Sequence, residues 1–170
     1  MKIGLLSDTH GYLDPKVFEH FNDCDEVWHA GDIGDSHVAD ELKKYKPFRA
    51  VHGNIDNRTV CERYPEDQWV ECEGLTIWMT HIGGTPPNYN TRVKKILVEK
   101  KPDLFICGHS HILKVGRDVN HNNMLYINPG AAGHQGFHSV RTLIRFEIET
   151  GKVKNMEVIE LGKRGAIQKR

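Results

Sequence analysis

Five short segments bring Asp, Asn and His together with Gly: Asp8-Thr9-His10, Gly31-Asp32, Gly53-Asn54-Ile55-Asp56, His81, and Gly108-His109-Ser110-His111. The chain holds 11 His among 170 residues. Imidazole is the commonest metal ligand and the usual acid–base group near neutrality. Asp8, His10, Asp32, Asn54, His81, His109 and His111 offer oxygen and imidazole nitrogen but no thiolate. Such a set suits borderline divalent ions such as Mn, Fe, Zn, Co or Ni. Seven donors exceed the needs of one tetrahedral ion; they suit two ions sharing a bridging carboxylate. Asp8/His10 and His109/His111 are i, i+2 pairs, which extended chain directs to the same side. The glycines before Asp32, Asn54 and His109 permit tight turns and close backbone approach.

The elements that must position these residues follow from the apolar pattern. Ile3–Leu6, Glu26–Ala30 and Phe48–Val51 read as strands, and the first is apolar throughout, as for burial on both faces. Between them, Asp14-Pro15 supplies a cap and a first-turn proline, and Ser36 caps a helix that runs to about Tyr45. This β-α-β-α-β order favours a parallel sheet with right-handed crossovers. Strands near Gln68–Cys72 and Leu75–Thr80, a helix over Thr91–Lys100 and a strand over Leu104–Cys107 come next. Beyond them only strands and turns are predicted. Val140, Ile144, Phe146 and Ile148 alternate with Arg141, Arg145 and Glu147, and Thr150-Gly151 turns into a last strand over Val153–Ile159. Each motif follows a strand, where ligands of open α/β sheets bind. The expected architecture is α/β: an α/β/β/α sandwich of two mixed sheets flanked by helices, in one domain over residues 1–161. A basic tail, frayed over 162–170, completes the chain. A single doubly wound sheet with a β-rich cap is the competing arrangement.

Composition narrows the function. Lys+Arg and Asp+Glu are 23 each. A zero balance argues against a generic nucleic-acid binder and against a polybasic membrane-surface protein. Lys94, Lys95, Lys100 and Lys101 form the one local basic run of note. No apolar run reaches the length of a membrane span, and Met1–Leu13 makes a poor signal peptide. Four Cys without a CxxC pair read as free thiols in a reducing cytosol. A homo-oligomer is compatible with all of this.

The five segments, in this order and at strand ends, resemble the calcineurin-like metallophosphoesterase superfamily. The resemblance spans about residues 1–135, including Asn128-Pro129-Gly130-Ala131. Its nearest branch looks like the short YfcE-type phosphodiesterases, and the retromer's metallophosphoesterase-like subunit shares that fold. The resemblance implies that Asp8, His10 and His111 bind one divalent ion and that Asn54, His81 and His109 bind a second. Asp32 bridges the two, and a hydroxide between the ions attacks phosphorus. Mn is the first choice of metal, with Ni, Zn, Fe or Co as others. The implied substrate is a small phosphodiester, and the implied compartment the cytoplasm. A phosphomonoesterase on the same site and a non-catalytic protein-binding scaffold are the competing functions.

One residue departs from the family pattern. Many members carry His directly after the metal-binding Asn, where it can protonate the leaving oxygen; this chain has Ile55. General acid help is typically worth about 10²–10⁴-fold. His134 and His138, in the Gly-rich segment after the Asn128-Pro129-Gly130 turn, are the replacement candidates, one of them expected to face substrate. His29 and His52 are expected as ligand-orienting or plain strand residues. Asp56 is expected either to hydrogen-bond a ligand or to cap the segment after it. His20, His37 and His121 are expected at the surface. Arg58 and Arg92 are expected in salt bridges, and Asn128 and Gly130 in a turn beside the site. The three Trp and Cys107 are expected in the core.

Overall fold

The computed structural model describes residues 1–165. Its elements run β1 (Lys2–Leu6), α1 (Lys16–His20), β2 (Glu26–His29), α2 (Ser36–Tyr45), β3 (Phe48–Ala50), α3 (Arg58–Arg63), β4 (Asp67–Cys72), β5 (Leu75–Thr80), β6 (Gly84–Thr85), β7 (Asn88–Tyr89), α4 (Thr91–Lys100), β8 (Leu104–Ile106), β9 (Leu113–Asp118), β10 (Met124–Pro129), β11 (Val140–Glu149) and β12 (Lys152–Lys163). Two five-stranded sheets form, in the orders β12-β11-β1-β2-β3 and β4-β5-β8-β10-β9. Each has three adjacent parallel strands: β1, β2, β3 along one side of the first, with β3 at its edge, and β5, β8, β10 at the centre of the second. Antiparallel strands complete both, so both are mixed. This is the expected pair of sheets, and the doubly wound alternative is ruled out.

The period of two within each strand builds the layers. Ile3 and Leu5 of β1 join Ile77 and Met79 of β5, Leu104 and Ile106 of β8, and Ile144 and Phe146 of β11 in the core between the sheets. Leu6 turns the other way, to the helices, with Val17 and Phe21 of the α1 segment and Val38 and Leu42 of α2. Trp78, Phe105 and Tyr126 face outward from the second sheet onto Val93 and Leu97 of α4. A strand covered on both faces must be apolar on both, which explains the unbroken runs in β1 and β8. Trp28 and Trp78 are fully buried and Trp69 stacks on Trp78 at 5.3 Å, as expected of core aromatics. Cys107 is buried, and Cys24, Cys61, Cys72 and Cys107 are free thiols.

Several boundaries differ from the pattern reading. Asp35, not Ser36, caps α2 by accepting from His37 N. α3, β9, β10 and the β6–β7 hairpin lay outside the expected elements. β9 carries no period-two signal because it is an edge strand exposed along most of its length. β12 runs past its expected end at Ile159: Gly162 and Lys163 pair with Arg141 and Val140. Residues 166–170 of the expected tail lie outside the described residues. No helix of the described residues is long and apolar enough to cross a membrane.

Arg141 departs most from the simple alternation. Its odd position turns it toward the helix layer, yet it is only 3% exposed. Its Nη1 donates to Asp14 Oδ2 at 2.7 Å, and its Nη2 donates to Leu161 O at 3.1 Å. Asp14, 4% exposed, also accepts from Lys16 N at 3.0 Å and so starts α1. One ion pair therefore joins β11, β12 and the α1 entrance. Removing one partner strands a buried charge, at about 3–5 kcal/mol. Asp14→Ala is expected to lower the unfolding free energy by that amount in urea titration; a change below about 1 kcal/mol would refute this role.

Candidate metal centre

The parallel strands β1, β2, β3, β5 and β8 deliver Asp8, Asp32, Asn54, His81 and His109, each within four residues of the strand's last residue. The predicted residues divide into two groups. Asp8, His10 and His111 have ligand atoms within 4.8 Å of one another, and so do Asp32, His81 and His109. His111 Nε2 lies 3.1 Å from Asp8 Oδ1, and His10 Nε2 lies 3.3 Å from His111 Nε2. Asp32 stands between the groups. Its Oδ1 is 3.2 Å from His81 Nε2 and its Oδ2 is 3.6 Å from His10 Nε2. Asn54 is exposed and lines a cavity of about 290 Å³ together with His81.

The local backbone is not the extended chain that the i, i+2 spacing suggested. Asp8, His10, Asp32, His109 and His111 all have positive φ, between 49° and 68°. Non-glycine residues in that region are uncommon and cluster at functional sites. Two left-handed residues around Thr9 turn both Asp8 and His10 inward. The turn is held by Asp8 N donating to Gly31 O at 3.0 Å and His10 N donating to Asp32 O at 3.0 Å. Close approach explains two of the glycines. A Cβ on Gly53 would sit 2.1 Å from Asp32 Oδ1, and one on Gly108 would sit 2.2 Å from Ser7 Oγ and 2.8 Å from Asp8 Oδ2.

The electrostatics fit a cation. His81 Nδ1–H donates to Ala30 O at 2.7 Å, so its Nε2 presents a lone pair. That lone pair faces Asp32 Oδ1 at 3.2 Å and Asp8 Oδ1 at 3.8 Å. His81 Nε2 and Asp8 Oδ1 are both buried without a hydrogen-bond partner. Acceptors that face one another in a buried place are repulsive unless a proton or a metal ion stands between them. Burial disfavours the His81 imidazolium, but Asp32 and Asp8 outweigh it and hold its pKa above the ordinary 6.5. Burial is the larger influence on His10, whose pKa is lowered against the pull of Asp32 and Asp8. Burial also opposes the Asp32 carboxylate, but the His81 contact prevails and its pKa falls.

Other side chains hold the loops. Asp56 accepts from Gly34 N at 2.7 Å, Ile33 N at 3.2 Å and Gly53 N at 2.7 Å, clamping the Asp32 loop to the Asn54 loop. It is not the cap of α3; Asn57 is, accepting from Val60 N at 3.1 Å. His29 is fully buried, and burial lowers its pKa to about 4. Neutral, it accepts from Gly31 N at 3.1 Å and pairs with Thr9 Oγ1 at 2.9 Å, so it orients two ligand loops. His52 bonds Tyr64 O at 2.8 Å. Asn128 donates to Gly108 O at 2.9 Å and accepts from Gly130 N at 3.0 Å, which makes the expected turn. Arg58 pairs with Glu62, and Arg92 with Asp67 and Glu66, as expected. His121 is partly covered and bonded to Asp118 Oδ2 at 2.9 Å, while His37 is exposed. His20 is half-buried rather than at the surface.

The two Gly-rich-segment histidines separate. The His138 ring packs edge-on against His111 with centroids 5.2 Å apart, and its Nε2–H donates to Gly133 O at 3.0 Å. His134 instead meets Tyr12 edge to face with centroids 4.3 Å apart and hydrogen-bonds the Arg164 carbonyl. The clamp of Asp56 was the functional feature least visible in the sequence. Its signal was a carboxylate two residues past Asn54, which fits a ligand as well as a brace.

Two outcomes follow. A metal ion held at His81 Nε2 would compete with a proton there, so apparent metal affinity should fall on acidification. Because the His81 pKa is raised, the fall should begin above pH 6.5; calorimetric affinity flat from pH 8 to 6 would contradict it. Asp56→Ala should bind metal about 10–100-fold more weakly while staying folded, as outer-shell losses do; unchanged affinity by competition with a chelator would dismiss the clamp.

Comparison with known proteins agrees with this geometry. A family model described as the calcineurin-like phosphoesterase superfamily domain matches residues 1–151. A Methanocaldococcus jannaschii protein named "probable metallophosphoesterase" is 32% identical over 140 residues, covering 77% of this chain and 68% of the relative. The solved structure of a novel archaeal phosphodiesterase superposes with a TM-score of 0.74 at 26% identity, covering 95% of this chain and all of that one. Wild-type Vps29 from Entamoeba histolytica, complexed with Zn²⁺, shares the fold with a TM-score of 0.70 at 19% identity, covering 94% of this chain and 99% of that one.

Proposed function

The chain belongs to the calcineurin-like phosphoesterase superfamily, and from that premise we propose that it is a dinuclear metal-dependent phosphodiesterase acting on small phosphodiesters in the cytoplasm. The reading rests on one observation above all: the two Asp32 oxygens face different ligand groups, Oδ1 toward His81 and Oδ2 toward His10. In this reading Asp8, His10 and His111 hold one ion, Asn54, His81 and His109 hold the other, and Asp32 bridges them. Divalent ions, Mn first among them, would lower the pKa of bound water, supply the nucleophile and neutralise phosphoryl charge.

The chain's own residues set the rest. Asn54 is exposed at the cavity, where its neutral amide can meet the phosphoryl group as well as a metal ion. Ile55 cannot donate a proton, so the leaving oxygen gets no acid from that position. Of the two replacement candidates, His138 is the one beside the ligand groups, packed against His111, while His134 is engaged elsewhere. With its Nε2–H held by Gly133 O and its Nδ1 buried, His138 would shape the site and not protonate the leaving oxygen. Weak leaving-group help favours diesters with good leaving groups over monoesters. The intact ligand set favours catalysis over a scaffold role, which would tolerate its loss.

Protein reconstituted with Mn, Ni, Zn or Mg should hydrolyse bis(p-nitrophenyl) phosphate faster than p-nitrophenyl phosphate. Asp32→Asn should cost more than the roughly 100-fold that outer-shell changes reach. A preference for the monoester would replace the diester reading. Turnover untouched by Asp32→Asn would end the bridging role.

A further inference from the structure

Two cavities open on either side of the His81–His109 pair, whose rings meet edge to face with centroids 5.3 Å apart. One, of about 290 Å³, is lined by Asn54, His81, Ile82, Glu66 and Arg92. The other, of about 300 Å³, is lined by His109, Ser110, Ile112, Lys114, Thr85 and Asn88. The first includes Asn54 and His81 of the second ligand group, and the second includes His109. A phosphorus atom held at the metal centre would therefore have room for an ester arm on both sides, and a phosphodiester has two arms.

The two cavities differ in charge. In the first, the Arg92 guanidinium is already paired with Asp67 and with Glu66. In the second, Lys114 reaches from β9 to the β6–β7 hairpin, where its Nζ donates to two neutral oxygens, Thr85 Oγ1 at 2.8 Å and Pro86 O at 3.4 Å. Among the described residues it forms no ion pair with a carboxylate. An ammonium has three N–H donors, so one donor and the whole charge remain for a ligand. The neutral acceptors fix the Nζ at the cavity mouth without cancelling that charge. Beside it, the exposed Ile112 gives the same cavity an apolar wall.

We propose that the cavity between the β6–β7 hairpin and residues 108–114 is a subsite for an anionic group on one arm of the substrate, recognised by Lys114. Preferred substrates are then phosphodiesters that carry a second anion on one arm and a neutral group on the other. The inference rests on the phosphodiesterase reading and deepens it.

The test compares two diesters that differ only in one carboxylate, 4-nitrophenyl phenyl phosphate and 4-nitrophenyl 4-carboxyphenyl phosphate, on metal-loaded protein. A partly exposed charge pair is worth about a fivefold change at most. The expected kcat/KM ratio of carboxylated to neutral ester is therefore about five, carried by KM. It should fall to about one in Lys114→Gln and persist in Lys114→Arg. A purely structural lysine would alter both esters together and leave the ratio alone. Binding gives a second readout: 4-carboxyphenylphosphonate should bind the wild-type protein about fivefold more tightly than phenylphosphonate, and equally to Lys114→Gln. A ratio near one in the wild type, or a ratio unchanged in Lys114→Gln, overturns the subsite. Failure to turn over either ester overturns the phosphodiesterase reading instead, and the phosphonate pair then still decides the subsite.

Discussion

Acceptor crowding is the constraint around which this molecule is arranged. Asp8 and Asp32 are buried, and their oxygens lie 3.1–4.0 Å from the Nε2 atoms of His10, His81 and His111. In a region screened from water such contacts repel strongly wherever the nitrogen carries a lone pair, as His81 Nε2 does, and no proton or cation stands between. A folding chain left to itself would turn these groups outward. Here they are turned inward by backbone that pays in conformation: five candidate ligands sit at positive φ, each at a cost of order 1–3 kcal/mol. The arrangement is therefore unfavourable in a way that a divalent cation would relieve, and what binds only the folded state would stabilise it by mass action.

Rigid strands make that arrangement possible. Five parallel strands from two sheets end at one edge, and each ends a few residues before a candidate ligand. A site built this way inherits the precision of the sheets rather than the freedom of loops. The remaining slack is taken up locally. Asp56 binds two loops through three backbone N–H groups, and neutral His29 joins the loops after β1 and β2. Burial keeps His29 neutral, which is what allows its ring to accept from Gly31 N.

Much of this was legible because the strands that matter are buried on both faces. Ile3–Leu6 and Leu104–Cys107 have no other reason to be apolar throughout, and the polar residues after them then mark strand ends. The edge strand β9 escaped because exposed pairing leaves no period. The path of the ligand loops escaped for a different reason. Spacing of two is compatible with extended chain and also with two left-handed residues around a pinned one, and only the hydrogen bonds of Asp8 N and His10 N to the neighbouring loop select the second. Asp56 and Arg141 share one blind spot: the partners that give them their roles are distant in sequence, Ile33 and Gly34 for Asp56 and Asp14 for Arg141, and nothing local points to them.

Exposure around the centre completes the physical picture. Ile55, Ile82, Ile112 and Phe137 are large, apolar and exposed, and each directly follows or precedes Asn54, His81, His111 or His138. Ligands that point inward leave their chain neighbours pointing out, so some exposure is geometric. Geometry does not demand that those neighbours be apolar, and exposed apolar residues grouped at one place mark binding surfaces. Ile82 and Ile112 line the two cavities beside the His81–His109 pair. A substrate covering them would displace water from the ligand groups, and every charge interaction there would strengthen as the local dielectric falls. Ile55 then has a second reading. The position that lacks a proton donor offers apolar cover instead, which in the phosphodiesterase reading would exchange help to the leaving oxygen for a drier setting around the phosphorus.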